Sequence, residues 1–129
     1  VRYTQASAEE VRDAQVLIID CFGLLSSAYH YGDVAYVGGG FGVGIHNVLE
    51  AAVWDMPVIF GPNNQRFSEA QGLMRAEGGF EIHTPEDFEE LITRFTDDAE
   101  YRKCCGDRAG AFVAQMTGAT TKILGKVKF

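Results

Sequence analysis

Five glycines fall among the seven residues Gly38 to Gly44, and His46, Asn47 and Glu50 follow at once. Bare backbone of that density lets another group approach the main chain and admits positive φ angles at little steric cost. An imidazole, a carboxamide and a carboxylate then stand close together. His and Asn can donate to phosphate or sugar oxygens, and a carboxylate can accept both hydroxyl hydrogen bonds of a ribose. On a helix, His46 and Glu50 would share one face, with Glu50 a turn beyond Asn47. The chemistry these residues suit is the holding of a phosphorylated sugar or nucleotide. Each also has a plainer reading: glycines for a tight strand-to-helix turn, His46 and Asn47 as helix caps, Glu50 as an acid favoured near a helix N-terminus.

The named phosphate fingerprints narrow the field. No register of the loop satisfies G-x-G-x-x-G, and no Lys-Ser or Lys-Thr follows it, so neither a dinucleotide dehydrogenase nor a P-loop NTPase is supported.

The elements that must position this loop are legible in the hydrophobic period. "VLIID" (Val16 to Asp20), "DVAYVG" (Asp33 to Gly38) and "PVIFG" (Pro57 to Gly61) are short β-branched and aromatic runs ending in Gly or Asp. Such runs are expected of strands buried on both faces. "FEIH" (Phe80 to His83) reads as one more strand, and "VRYT" at the start has strand character. Helical segments are expected at about Leu24 to Tyr31, His46 to Trp54 and Gln65 to Glu77, with a further helix from Asp98 and a tail helix from Ala119. "TPEDFEELITRF" opens with Thr84 as N-cap, Pro85 at the first helical position and acids in the first turn, a strong helix start. Phe88, Leu91, Ile92 and Phe95 form its core stripe by period. "SAEE" (Ser7 to Glu10) fits a capping box. Strands alternating with helices predict an α/β fold, a Rossmann-like parallel sheet flanked on both faces by helices. The glycine loop then sits at the carboxyl edge of the sheet, where open α/β folds bind ligands and where loop amides and a helix N-terminus can hold an anion.

Composition bounds the partners. The chain has 129 residues, 47% hydrophobic and 22% charged, enough for one core and too few for two ordinary domains. A net charge of −7 argues against nucleic acid or an anionic bilayer as the direct partner of these residues. Cys21, Cys104 and Cys105 show no C-x-x-C and no His spacing that would complete a zinc site, so they read as reduced thiols of a cytoplasmic protein. No apolar run approaches the roughly 18 residues of a membrane span. His30 and His83 read as structural, and "EDFEE" and "DDAE" as helix-start acids on solvated faces.

From about Val16 to its C-terminus the chain resembles the C-terminal half of the 3-deoxy-D-manno-octulosonic acid (Kdo) transferases, inverting glycosyltransferases of the two-domain GT-B fold. The stretch "YVGGGFGVGIHNVLEAAVWDMPVIFGPNNQRFSEA" is similar to the family pattern of a GG-rich loop, H-N-x-x-E, P-V-I-x-G-P and F-x-E-A. The upstream "DCFGLLSSAYHYGD" is similar to D-T-x-G-E-L-x-x-x-Y, with Leu24 where many members carry Glu and Ile45 where a second glycine commonly precedes the histidine.

The resemblance implies that residues 1–129 are one nucleotide-sugar (donor) binding domain, cut at its N-terminal edge, with the acceptor domain absent. It implies donor-binding roles for Gly39, Gly40, Phe41, Gly42, His46, Asn47 and Glu50 around CMP-Kdo. Arg66 and Glu69, expected to open the helix after the next strand, are candidates for the donor sugar or else a solvated helix start. The implied reaction transfers Kdo to the lipid A precursor in lipopolysaccharide biosynthesis, at the cytoplasmic face of the inner membrane of a Gram-negative bacterium. The catalytic base, the lipid A groove and the membrane contact belong to the N-terminal domain, so no catalytic residue is expected here and the fragment alone is expected to be inactive. No cofactor or metal is implied. Two other readings stay open: another GT-B nucleotide-sugar enzyme, such as a UDP-sugar transferase or epimerase, and a non-enzymatic nucleotide-binding module.

Overall fold

The computed structural model describes residues 1–21 and 23–126 and divides the chain into two compact units, Val1–Tyr31 and Gly32–Phe129. The second carries a three-stranded parallel sheet of β1 (Ala35–Val37), β2 (Val58–Phe60) and β3 (Gly79–Glu81), in that order. Its helices are α3 (Leu49–Ala52), α4 (Ser68–Arg75), α5 (Pro85–Asp97) and α6 (Ala99–Lys126). The first unit carries α1 (Ala8–Asp13) and α2 (Leu25–Ala28), with 3₁₀ turns at Tyr3–Gln5 and Tyr29–Tyr31.

The register aligns Tyr36, Ile59 and Phe80 across the sheet, and Val37, Phe60 and Glu81 one step on. Because side chains alternate along a strand, each row faces one layer of helix. Tyr36 and Phe80 set their rings edge-on to Phe88 and Phe95 of α5, at centroid distances of 5.8 and 5.3 Å. Ile59 is buried in a cluster with Ile82, Phe95 and Cys105, against which Phe88, Leu91 and Ile92 pack, so the expected stripe of α5 is core. On the opposite face α4 covers β3 so closely that a Cβ on Gly79 would lie 2.8 Å from that of Leu73. Helix α6 passes at backbone distance from the turn before β3, where a Cβ on Gly78 would meet the Ala109 backbone at 2.6 Å. The sheet is therefore flanked on both faces by helices. Burial also pushes the Cys105 thiol up, which makes it a poor nucleophile, and the three cysteines are free.

Several expected elements differ. Val16–Asp20 is no buried strand: Val16 and Ile18 are exposed, and pairing is confined to one bridge between Ile18 and Arg2. An apolar run becomes a strand only where partners and covering faces exist, and within its unit this one finds only the N-terminal segment. "VRYT" accordingly supplies that bridge and then turns into 3₁₀ at Tyr3, while Thr4 donates from backbone and hydroxyl to Asp20 and holds that carboxyl below its ordinary range. The helix expected from Leu24 to Tyr31 is one α turn continued as 3₁₀. The tail helix expected from Ala119 is the continuation of α6, since no proline interrupts Ala99–Lys126 and each interior glycine costs only about 1 kcal/mol. Ser7 caps α1 by accepting from the Glu10 amide.

Thr84 caps α5 as expected, in a reciprocal box: its hydroxyl accepts from the Asp87 amide at 3.1 Å, and Asp87 accepts from the Thr84 amide. The amide of His83 also donates to Asp87 at 2.9 Å, and that bond chiefly holds the carboxyl below its ordinary value of 3.8. A carboxylate so depressed stabilises the fold above its unfolded pKa and loses that contribution as pH falls through the folded value. Asp87→Asn should therefore lower the urea midpoint at pH 7, with the gap to the unchanged chain closing below about pH 4.

Candidate functional site

All three strands run the same way, so their carboxyl ends gather three loops on one edge of the sheet. The glycine loop leaves β1, Gly61–Phe67 leaves β2, and Ile82 and His83 leave β3. The first loop folds on itself because Gly39 takes a φ of +93°, after which its carbonyl accepts from the amides of Gly42 and Gly44, both at 3.1 Å. The His46 amide closes the loop onto the Gly38 carbonyl at 3.0 Å.

The second loop is pressed against the first. A Cβ on Gly40 would lie 2.6 Å from the Gly61 Cα, so only glycines allow the two strand exits to cross. From this crossing Asn63 grips the glycine loop, its amide donating to the Gly40 carbonyl at 2.7 Å and its side chain to the Gly42 carbonyl. Asn64 is fully buried. Its Nδ2 donates to the Gly61 carbonyl at 2.8 Å and to Glu81 Oε1 at 2.7 Å, and its Oδ1 accepts from Gln71 Nε2 at 2.6 Å. Glu81 Oε2 in turn lies 2.9 Å from His83 Nε2. One polar chain thus ties the exits of β2 and β3 to α4.

Beside the loops lies a cavity of about 380 Å³ lined by Ile45, His46, Asn47, Val48, Leu49, Phe67 and Glu69. Of the residues singled out from sequence, it brings together His46, Asn47 and Glu69. Gly39, Gly40, Phe41 and Gly42 form the adjoining loop, with Phe41 exposed at its tip. Glu50 is exposed in the first turn of α3 and outside the cavity lining. Arg66 is committed elsewhere: its guanidinium donates to the Val43 carbonyl at 2.7 Å. Glu69 lies in the first turn of α4, whereas Arg66 precedes that helix.

The helix expected to begin near His46 begins at Leu49. Asn47 Oδ1 accepts from the Leu49 amide at 2.9 Å, a side-chain turn that competes with helix, and the His46 amide is already spent on Gly38. His46 and Glu50 therefore share no helical face. Since α3 has four residues and the amides of Gly42, Gly44 and His46 bond within the loop, the main chain offers an anion fewer donors than its glycines suggested. What remains suited to a polar ligand is the His46 ring, the Asn47 amide nitrogen and the Glu69 carboxylate around an apolar floor of Ile45, Val48 and Phe67. Asn63, Asn64 and Glu81 were missed from sequence; the doubled asparagine after Gly61-Pro62 was their one visible trace. Among the described residues, no three His, Cys, Asp or Glu side chains converge as metal ligands, and no helix is long and apolar enough to cross a membrane.

No family model matches the chain. Among curated proteins it is 36% identical over 93 residues to the 3-deoxy-D-manno-octulosonic acid transferase of Aquifex aeolicus, covering 70% of this chain and 26% of that protein. It is 33% identical over 107 residues to the transferase of the same name from Chlamydia pneumoniae, covering 81% of this chain and 24% of the relative. The chain thus spans about a quarter of the length of these relatives. In fold it is similar to the C-terminal CMP-Kdo binding domain of WaaA from Acinetobacter baumannii, with a TM-score of 0.70 at 21% identity over 78% of this chain and 53% of that one.

The crossing of Gly40 and Gly61 makes neighbouring glycines unequal. A methyl group on Gly40 must force apart a pair of touching backbones, whereas one on the exposed Gly42 would meet only the Gly39 carbonyl oxygen at 3.8 Å. Gly40→Ala should cost about 1–3 kcal/mol in chemical denaturation, as overpacking does, and Gly42→Ala should stay within about 0.5 kcal/mol of the unchanged chain.

Proposed function

We propose, from the premise that this chain is related in sequence to the 3-deoxy-D-manno-octulosonic acid (Kdo) transferases and shares the fold of a C-terminal domain among them, that it is the donor-binding domain of a glycosyltransferase. The reaction is transfer of Kdo from CMP-Kdo to a lipid A precursor, at the cytoplasmic face of the inner membrane. The observation that carries this reading is the cavity at the carboxyl edge of the parallel sheet, where His46, Asn47 and Glu69 meet beside the glycine loop.

In this reading the loop Gly39–Gly42 and the His46 ring face the phosphate, and Asn47, whose oxygen is used on Leu49, offers its amide nitrogen to a phosphate or sugar oxygen. Glu50 accepts from the ribose hydroxyls. Glu69 accepts from hydroxyls of the Kdo ring, while Arg66 supports the loop through the Val43 carbonyl rather than touching the sugar. The donor binds without a metal. Transfer needs the acceptor hydroxyl held against the anomeric carbon, an arrangement whose effective molarity can reach about 10⁵ M. The groups that hold the acceptor and take its proton are assigned to the region of the relatives that this chain does not span.

Two measurements test the assignment. Cytidine monophosphate at millimolar concentration should shift the amide signals of Gly38 to Glu50 in the isolated chain, with uridine monophosphate weaker; silence in that loop would remove the reading. Glu50→Gln removes charge from hydrogen bonds worth about 1.5–3 kcal/mol each, so donor binding by the complete transferase should weaken at least about tenfold. An unchanged donor KM would return Glu50 to a role in the helix turn alone.

A further inference from the structure

We propose that Asn64 is a positioning residue for the donor site, and that it sets the glycine loop through the backbone of Gly61 while Glu81 sets Asn64. This rests on the nucleotide-site reading above, although its first readout needs no ligand.

Asn64 touches no residue of the cavity wall through its side chain hydrogen bonds, yet all of its side-chain hydrogen-bonding groups are engaged. Its two N–H bonds go to the Gly61 carbonyl and Glu81 Oε1, and its oxygen takes Gln71. The side chain is fully buried, so no water can replace a lost partner without rearrangement. Gly61 is the residue whose backbone lies against Gly40. Asn63, next in the chain, supplies two bonds to the glycine loop, at Gly40 and Gly42. A shift of the Asn64 side chain therefore moves Gly61 and Asn63, and both are in direct contact with the loop. A carboxamide is the group that fits, because it must donate twice on one side and accept on the other. Glu81 fits as its orienting partner because one oxygen takes Asn64 and the other lies against His83.

The test exploits this donor and acceptor pattern. Asn64→Asp keeps the shape but turns an oxygen toward two acceptors, the Gly61 carbonyl and the Glu81 carboxylate. In the ligand-free chain the amide signals of Gly40, Gly42 and Gly61 should move, and cytidine monophosphate should bind at least tenfold more weakly. Adding Glu81→Gln restores a donor opposite the introduced carboxylate and removes one charge, so the double variant should recover at least threefold in affinity and return the Gly40 signal toward its original position. Glu81→Gln alone, which keeps an acceptor for Asn64, should stay within twofold.

Gly78→Ala serves as the control for instability alone: it crowds Ala109 of α6 and should leave the loop amides in place. Should Asn64→Asp fail to fold, Glu81→Ala, at a partly exposed position, removes one of the two acceptors and should shift the same three amides. Unmoved loop amides in either variant, or a double variant no better than Asn64→Asp, would overturn the proposal. If the unchanged chain ignores cytidine monophosphate while the loop amides still respond and are rescued, the nucleotide reading fails and the positioning of the loop by Asn64 stands.

Discussion

Where β1 and β2 leave the sheet, their backbones cross at Gly40 and Gly61 with no room between them for a Cβ. Much of the candidate site depends on that contact. Parallel strands lie nearly 5 Å apart within a sheet, and their exits ordinarily diverge into helices on the flanking layers. Here the two exits converge instead, and the turn that brings the second one back supplies Asn63 to the first. The glycine loop thus keeps its shape through bonds to its neighbour as much as through its own. The cavity beside it inherits walls from both sides: Ile45 to Leu49 from the first connection, Phe67 and Glu69 from the second.

Convergence of this kind places a polar requirement inside the protein. The buried carbonyls of Gly40 and Gly61 need donors, and buried amide groups are costly when left unpaired. The Asn63 backbone amide meets it at Gly40, and the Asn64 side chain, short enough to stay within the turn, meets it at Gly61. The chain through Glu81 and Gln71 extends the solution to β3 and α4, so the carboxyl edge is held by polar bonds while the centre of the sheet is held by Ile59, Phe60, Phe95 and Leu73.

The placement of the glycine loop was legible because its signals are local: a β-branched run, a stop, glycines, then a cap residue. The same holds for α5, whose start is written in Thr84, Pro85 and Asp87. Misreadings arose where the deciding partner is distant or absent. "VLIID" has the composition of a buried strand, but burial is a property of neighbours, and it forms one isolated bridge, Ile18 to Arg2, with the N-terminal segment. Asn47 resembles a residue inside the first helical turn, yet its side chain and the Gly38 carbonyl draw the backbone out of helix until Leu49. Beyond the doubled asparagine, Asn64 carries no mark of importance in sequence, since its partners Gln71 and Glu81 lie seven and 17 residues away. Arg66 reads in sequence as a candidate for the donor sugar or a solvated helix start, and only the fold shows the Val43 carbonyl it has taken.

That commitment of Arg66 has a kinetic side. With its guanidinium turned onto the loop, none of the residues lining the cavity is a lysine or arginine, and the chain as a whole carries a net charge of −7. A negatively charged ligand approaching this chain diffuses against a repulsive field rather than down an attractive one. Dissolved ions shorten the reach of that field to about 8 Å at physiological strength. Encounter with an anion should then quicken as salt is added, the reverse of the behaviour of sites that gather phosphates with exposed cations, and selectivity falls to contacts made after arrival.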